Sequence, residues 1–209
     1  MLLGNLGPFS PGYVENQNYH FLRLQTKKAT PHDYHKKFRI NDFELEFVSA
    51  GHVLGSAMIE CGEVLYTGDY NPYGTVTAGI AEPRDCETLI IESTYGKPDQ
   101  TLPNRNEVLK DLQAWIEVTS SNGGGIVGAY SLGKAQEVIA TANNGGVVPA
   151  VSEIVASVSD VYKKHGVPLE YVPYTELDEE EKKKPGLLVT STTATSGRRS
   201  DTEIGRAHV

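Results

Sequence analysis

Two side chains in the stretch VSAGHVLGSAMIECGEVLYTGDY, Val48 to Tyr70, could do chemistry together: the imidazole of His52 and the carboxylate of Asp69. One nitrogen and one oxygen donor, each delivered just past a strand end, suit a metal ion such as zinc and hydrolytic chemistry. Each has an ordinary alternative. A histidine beside apolar residues is commonly a packed or surface residue, and Gly-Asp favours a plain turn. The elements that must position the pair are legible. FELEFV is a strand leading into the His52 loop, SAMIEC and EVLYT form a hairpin turning at Gly62, and Asp69 follows directly. Gly51, Gly55, Ser56 and Gly68 crowd both polar groups, and small residues let backbone approach backbone or ligand.

Further along, ETLIIES carries Glu92 next to its end and is expected to be a short, fully buried strand. From Leu102 helical and strand patterns alternate. NEVLKDLQAWIEVTSS sets Val108, Leu112, Trp115 and Ile116 on one helical face. GGGIVGAYS is a strand, and KAQEVIATANN a helix with Ala135, Val138, Ile139 and Ala142 together. SEIVASVSDVYKKHG is a helix capped by Ser152, with Ile154, Val158, Val161 and Tyr162 facing inward. GGVVPAV, VPLEYVPY and GLLVTST are strands. The alternation predicts parallel strands covered by helices, an α/β arrangement. TELDEEEKKKPG is a charged surface connector. NLGPFSPGYVENQNYHF is loop-like, and KKATPHDYHKKF a basic, irregular connector, with regular structure expected from about Phe43. HDYH, His32 to His35, imitates metal-ligand spacing but has no helical or strand frame to hold it, and is not read as a metal site.

Composition bounds the class. The 209 residues are 39% hydrophobic and 22% charged, the balance of an ordinary globular protein. No apolar run approaches a membrane span and no leader pattern opens the chain, so no membrane partner is expected. Cys61 and Cys86 form no CxxC pair and no disulfide framework, which makes a reducing cytoplasm the default location. A net charge of −8 argues mildly against a surface that grips phosphates everywhere. The charge is uneven: up to Ile40 there are six basic residues against two acidic ones.

Four segments in series, AGHVLGSA, YTGDY, IIESTYG and YSLGKAQE, resemble the β-CASP branch of the metallo-β-lactamase superfamily, over roughly Phe43 to Thr193. The absence of long insertions looks most like the short prokaryotic exonuclease-like members, with the mRNA 3′-end processing factors close behind. The resemblance implies a partial αββα sandwich in residues 1–92, an α/β β-CASP lobe in 93–199, and zinc-dependent hydrolysis of phosphodiester bonds in RNA or single-stranded DNA. It implies His52 as a metal ligand and Asp69 as the carboxylate bridging two Zn2+ ions, which clamp the attacking and leaving oxygens. Glu92 matches the acidic residue that orients a histidine acting on the leaving group. Ser131, Gly133 and Lys134, at a strand-to-helix turn, would hold phosphate. A homodimer is left open.

Each assignment keeps its rival. Glu92 also fits a cap or a solvated strand end, and Lys134 an exposed helix residue. Tyr70, Tyr95 and Tyr130 fit packing as well as base stacking. The HxHxDH signature is absent, and the family's last histidine motifs would follow Thr202. EIGRAHV resembles translated read-through of a sequencing adapter, so 200–209 is expected to be a non-native tail and His208 is not counted as a ligand. Two ligands do not close a two-zinc site, so the chain is expected to be an inactive fragment of a nuclease. The alternative is a non-catalytic homologue that binds nucleic acid or scaffolds a complex; a small-molecule hydrolase such as a thioesterase is the weaker rival.

Overall fold

The structure, a computed structural model, describes residues 30–192 and the backbone of Ile204–Arg206. The loop-like opening stretch, Thr202 and His208 lie outside the described residues. The chain divides into two compact units, Met1–Gln100 and Thr101–Val209.

The first unit is built on one five-stranded sheet with the strands in sequence order: β1 (Phe38–Ile40), β2 (Phe43–Ser49), β3 (Ala57–Cys61), β4 (Val64–Tyr66) and β5 (Thr88–Ile90). Regular structure therefore begins five residues' worth of chain earlier than the apolar pattern indicates, because β1 folds back on β2 through Asn41 and Asp42 with Ile40 opposite Phe43. β2 to β4 are antiparallel neighbours, and the β3–β4 hairpin turns at Gly62 as expected. β5 joins β4 in parallel, Leu65 opposite Leu89. The register puts Val48 opposite Met58 and Glu60 opposite Leu65, so Val48, Met58 and Leu65 share one face. With Ala50 they form the core of this unit, flanked by Tyr70 and Cys86.

β5 corrects one expectation. Its apolar run is not buried: Leu89, Ile90 and Ile91 are each about half exposed. Among the described strands β5 is the outermost of its sheet and is bonded only to β4. An apolar run without alternation does not tell an edge from an interior strand.

The second unit is the predicted parallel α/β layer. Its sheet has the order β10-β6-β9-β7-β8, with every neighbour pair parallel. The strands are β6 (Gly125–Ala129), β7 (Ala150–Val151), β8 (Val172–Pro173), β9 (Leu187–Ser191) and β10 (Ile204–Arg206). Helices α1 (Arg105–Ser121), α2 (Lys134–Asn144) and α3 (Glu153–Lys164) carry the chain between strands. Ile116, Ala135, Val138, Ile139 and Ala142 are buried, as their spacing predicts. The charged connector holds a short helix, α4 (Glu179–Lys183), whose Asp178 side chain caps the amides of Glu180 and Glu181.

α3 is rotated from expectation. Val155, Ser159 and Tyr162 are its innermost residues, while Ile154 and Val161 are only partly buried. The buried stripe runs Val155, Val158, Ser159, Tyr162, and Ser159, with no exposed surface, receives a hydrogen bond from Gln136 of α2. Ser152 stands at the N-cap position of α3, but its hydroxyl caps no amide. Among the described residues no helix is long and apolar enough to cross a membrane.

Candidate functional site

In the first unit the backbone brings His52 and Asp69 together. The His52 loop leaves β2 and is closed by Ser56, whose hydroxyl accepts hydrogen bonds from the amides of His52 and Val53, both at 3.1 Å. The Ser56 carbonyl accepts from Ala50 N at 3.1 Å and from the Tyr34 hydroxyl at 2.8 Å. The Asp69 turn is tied to that loop by Asn71 N, which donates to the Ala50 carbonyl at 2.9 Å. Only glycine fits between them at position 51. Its φ is +65°, and a Cβ there would meet Ala81 N at 2.4 Å and Asn71 O at 2.5 Å.

The outcome is His52 Nε2 3.7 Å from Asp69 Oδ2, with both side chains open to solvent. Ligands at about 2.0–2.2 Å from a tetrahedral zinc lie roughly 3.3–3.6 Å apart. At 3.7 Å the pair stands just beyond that span. Among the described residues no group of three or more His, Cys, Asp or Glu side chains could hold a metal. His32 and His35 serve elsewhere. His32 stacks on Phe38, ring centres 3.8 Å apart. His35 Nε2 lies 3.2 Å from Glu82 Oε1, and its Nδ1 lies 3.3 Å from Arg84 Nη2.

Glu92 stands just past β5 and uses both carboxylate oxygens. Oε2 accepts from the Thr94 hydroxyl at 2.5 Å and Oε1 from Tyr70 N at 2.7 Å. These bonds, the Thr94 hydroxyl foremost, hold its pKa below the ordinary glutamate value, with a smaller contribution from His52. Glu92 therefore fastens the residue that follows Asp69.

Ser131, Gly133 and Lys134 stand in the second unit, on the turn from β6 into α2. Gly133 has φ +86° and its amide donates to the Gln136 side chain at 2.8 Å. Lys134 Nζ is 3.3 Å from Glu137 Oε2. Burial, and then the charge of Arg105, hold the Lys134 ammonium below the usual lysine range. Glu137 is almost wholly buried and is also paired with Arg105 of α1. An anionic group reaching this turn would meet two cations that share one carboxylate.

Two residues here escaped sequence reasoning. Gln136, completely buried, accepts from Gly133 N and donates to Ser131 O at 3.1 Å and Ser159 Oγ at 3.0 Å. Glu137 binds the two cations. The available signal was the G-x-x-Q spacing, with Gly133 at the N-cap and Gln136 three residues on, where a side chain reaches back to the cap amide.

No protein-family model matches the chain. It is 35% identical over 120 residues to an RNase J-like protein of Methanocaldococcus jannaschii, covering 54% of this chain and 28% of that protein. Over 137 residues it is 37% identical to the transcription termination factor FttA of the same organism, covering 59% and 21%. The endoribonuclease YSH1 of Kluyveromyces lactis is 34% identical over 113 residues, covering 51% and 15%. The chain is a relative of the β-CASP metallo-β-lactamases. This β-CASP relative spans about a quarter or less of the length of most of these proteins.

Proposed function

We propose that this β-CASP relative belongs to a zinc-dependent phosphodiester hydrolase that cuts RNA or single-stranded DNA. The observation that carries the reading is the approach of His52 Nε2 to Asp69 Oδ2, fixed by the Asn71–Ala50 bond between their loops. The names of the relatives, an RNase J-like protein and an endoribonuclease among them, support a nucleic-acid substrate. His52 and Asp69 hold the metal, and Glu92 keeps the Asp69 turn in place. Bound zinc would supply Lewis acidity toward phosphate and an acidified water. Ser131, Gly133 and Lys134 hold substrate phosphate, with Lys134 contributing charge and Gly133, its amide already engaged, contributing the shape of the turn. In this reading 1–92 is metallo-β-lactamase sequence, 93–199 the β-CASP lobe, and 200–209 a non-native tail whose Ile204–Arg206 pairs with β6 all the same; the setting is cytoplasmic.

Two ligands do not close a catalytic zinc site, so these 209 residues are expected to bind zinc without sustained turnover. Equilibrium dialysis against Zn2+ tests the assignment. Asp69→Ala should weaken zinc binding at least about tenfold; equal binding by wild type and variant would remove Asp69 from the ligand set.

A second reading is favoured by the absence of a cluster of three or more ligands among the described residues. It is a non-catalytic nucleic-acid-binding or scaffolding subunit. Incubating the complete, zinc-loaded protein with labelled RNA, labelled single-stranded DNA and a thioester separates the classes. Cleavage of an oligonucleotide supports the hydrolase, binding without cleavage in the complete protein supports the subunit, and thioester turnover alone opposes both.

A further inference from the structure

We propose that the His32–His35 segment is a strap that positions the His52 loop, with Tyr34 as its working residue. The inference rests on reading His52 as a metal ligand, and it gives HDYH a role other than ligation. The Tyr34 hydroxyl donates to the Ser56 carbonyl at 2.8 Å, across 22 residues of sequence. Ser56 is the residue whose hydroxyl holds the amides of His52 and Val53. Its carbonyl also receives Ala50 N, and the Ala50 carbonyl in turn receives Asn71 N from the Asp69 turn. One phenol thus feeds a hydrogen-bonded chain that runs through Ser56 to the His52 amide and to Asn71, two residues past Asp69.

The strap is anchored on either side of Tyr34. His32 stacks on Phe38 and meets Phe47 edge-on, ring centres 6.2 Å apart. His35 N donates to the Phe47 carbonyl at 2.9 Å, while the His35 ring lies among Glu46, Glu82 and Arg84. His35 takes a left-handed backbone, φ +59°, which reverses the chain directly after Tyr34. Burial, and then the negative charge of Glu82, raise the Tyr34 pKa, so the phenol stays a donor throughout the neutral range. Tyr34 does not touch the metal position. It acts through Ser56, as groups behind a ligand shell do.

The test uses the full chain with Tyr34→Phe, which removes one oxygen and keeps the ring, and with Tyr73→Phe as a control at an exposed tyrosine. Amide hydrogen exchange is followed at His52, Val53 and Ala50, and Co2+ and Zn2+ affinity by chelator competition. Tyr34→Phe should speed exchange of those amides several-fold, weaken metal binding about tenfold and change the Co2+ absorption spectrum, while Tyr73→Phe does none of these. Loop exchange that matches wild type would overturn the strap. Faster exchange with unchanged metal affinity would also overturn it as a positioning device. If the wild type binds neither metal while Tyr34→Phe still loosens the loop, the strap stands and the ligand reading of His52 fails.

Discussion

Glu92 carries two meanings that one substitution separates. Family resemblance makes it an orienting acid, whereas its bonds to Thr94 Oγ1 and Tyr70 N make it a fastener of the Asp69 turn. Fastening has a pH signature. The folded pKa lies below the unfolded value of about 4.3, so the folded state favours the charged carboxylate. The stabilisation is fully present above that value and fades as pH falls through the lower, folded pKa. Glu92→Gln keeps the shape and removes the titration. Urea midpoints of wild type and Glu92→Gln should therefore differ most at neutral pH and draw together as pH falls below the ordinary glutamate value. A gap that does not change with pH would mean that these bonds add nothing to the charged form.

At the scale of elements, the link between α2 and α3 is a polar pair inside an apolar layer. Gln136 satisfies Gly133 N, Ser131 O and Ser159 Oγ at once, with no exposed surface. Replacing it by leucine leaves those three groups facing a hydrocarbon. A buried polar group without a partner costs roughly 1–3 kcal/mol. Gln136→Leu should destabilise the second unit by roughly 2–4 kcal/mol, since the groups share relaxation. Ser159→Ala, which removes a single acceptor, should cost about 1 kcal/mol. Chemical denaturation followed by Trp115 fluorescence reports this unit, and equal costs for the two variants would mean that the glutamine does not coordinate the network.

The same residues mark what the sequence could and could not disclose. The hairpin at Gly62, the helices over 105–164 and the parallel sheet follow from apolar spacing, which burial rewards directly. So does the meeting of His52 and Asp69, because a hairpin between two loops at one sheet end leaves them little choice. α3 was legible as a helix but not in its rotation: its buried stripe includes Ser159, a polar residue whose partner, Gln136, lies on another helix. β5 illustrates the reverse limit, since Leu89 and Ile90 are apolar yet lie at an edge. Tyr34 was unreadable for a related reason. Its partner is a backbone carbonyl, which every residue carries and no sequence pattern reports.

For the whole molecule, the governing quantity is a net charge of −8. Such a chain cannot hold a polyanion by general attraction, so local cations must do it. Two sources compete. The turn of the second unit offers Lys134 and Arg105, already sharing Glu137. The stretch up to Ile40 offers Arg23, Lys27, Lys28, Lys36, Lys37 and Arg39, with Lys37 paired to Glu44. Binding to single strands weakens with salt by about 0.7 log units per tenfold of salt for each phosphate neutralised. Contact through the turn alone predicts a slope of about −0.7 to −1.4, and full engagement of the basic stretch one near −4. Anisotropy of a labelled single-stranded oligonucleotide, titrated over a range of salt, reads the slope directly. We expect the shallow value, and Lys134→Ala should lower its magnitude by about 0.7. A steep slope unmoved by Lys134→Ala would place the grip on the basic stretch and leave the turn without a phosphate to hold.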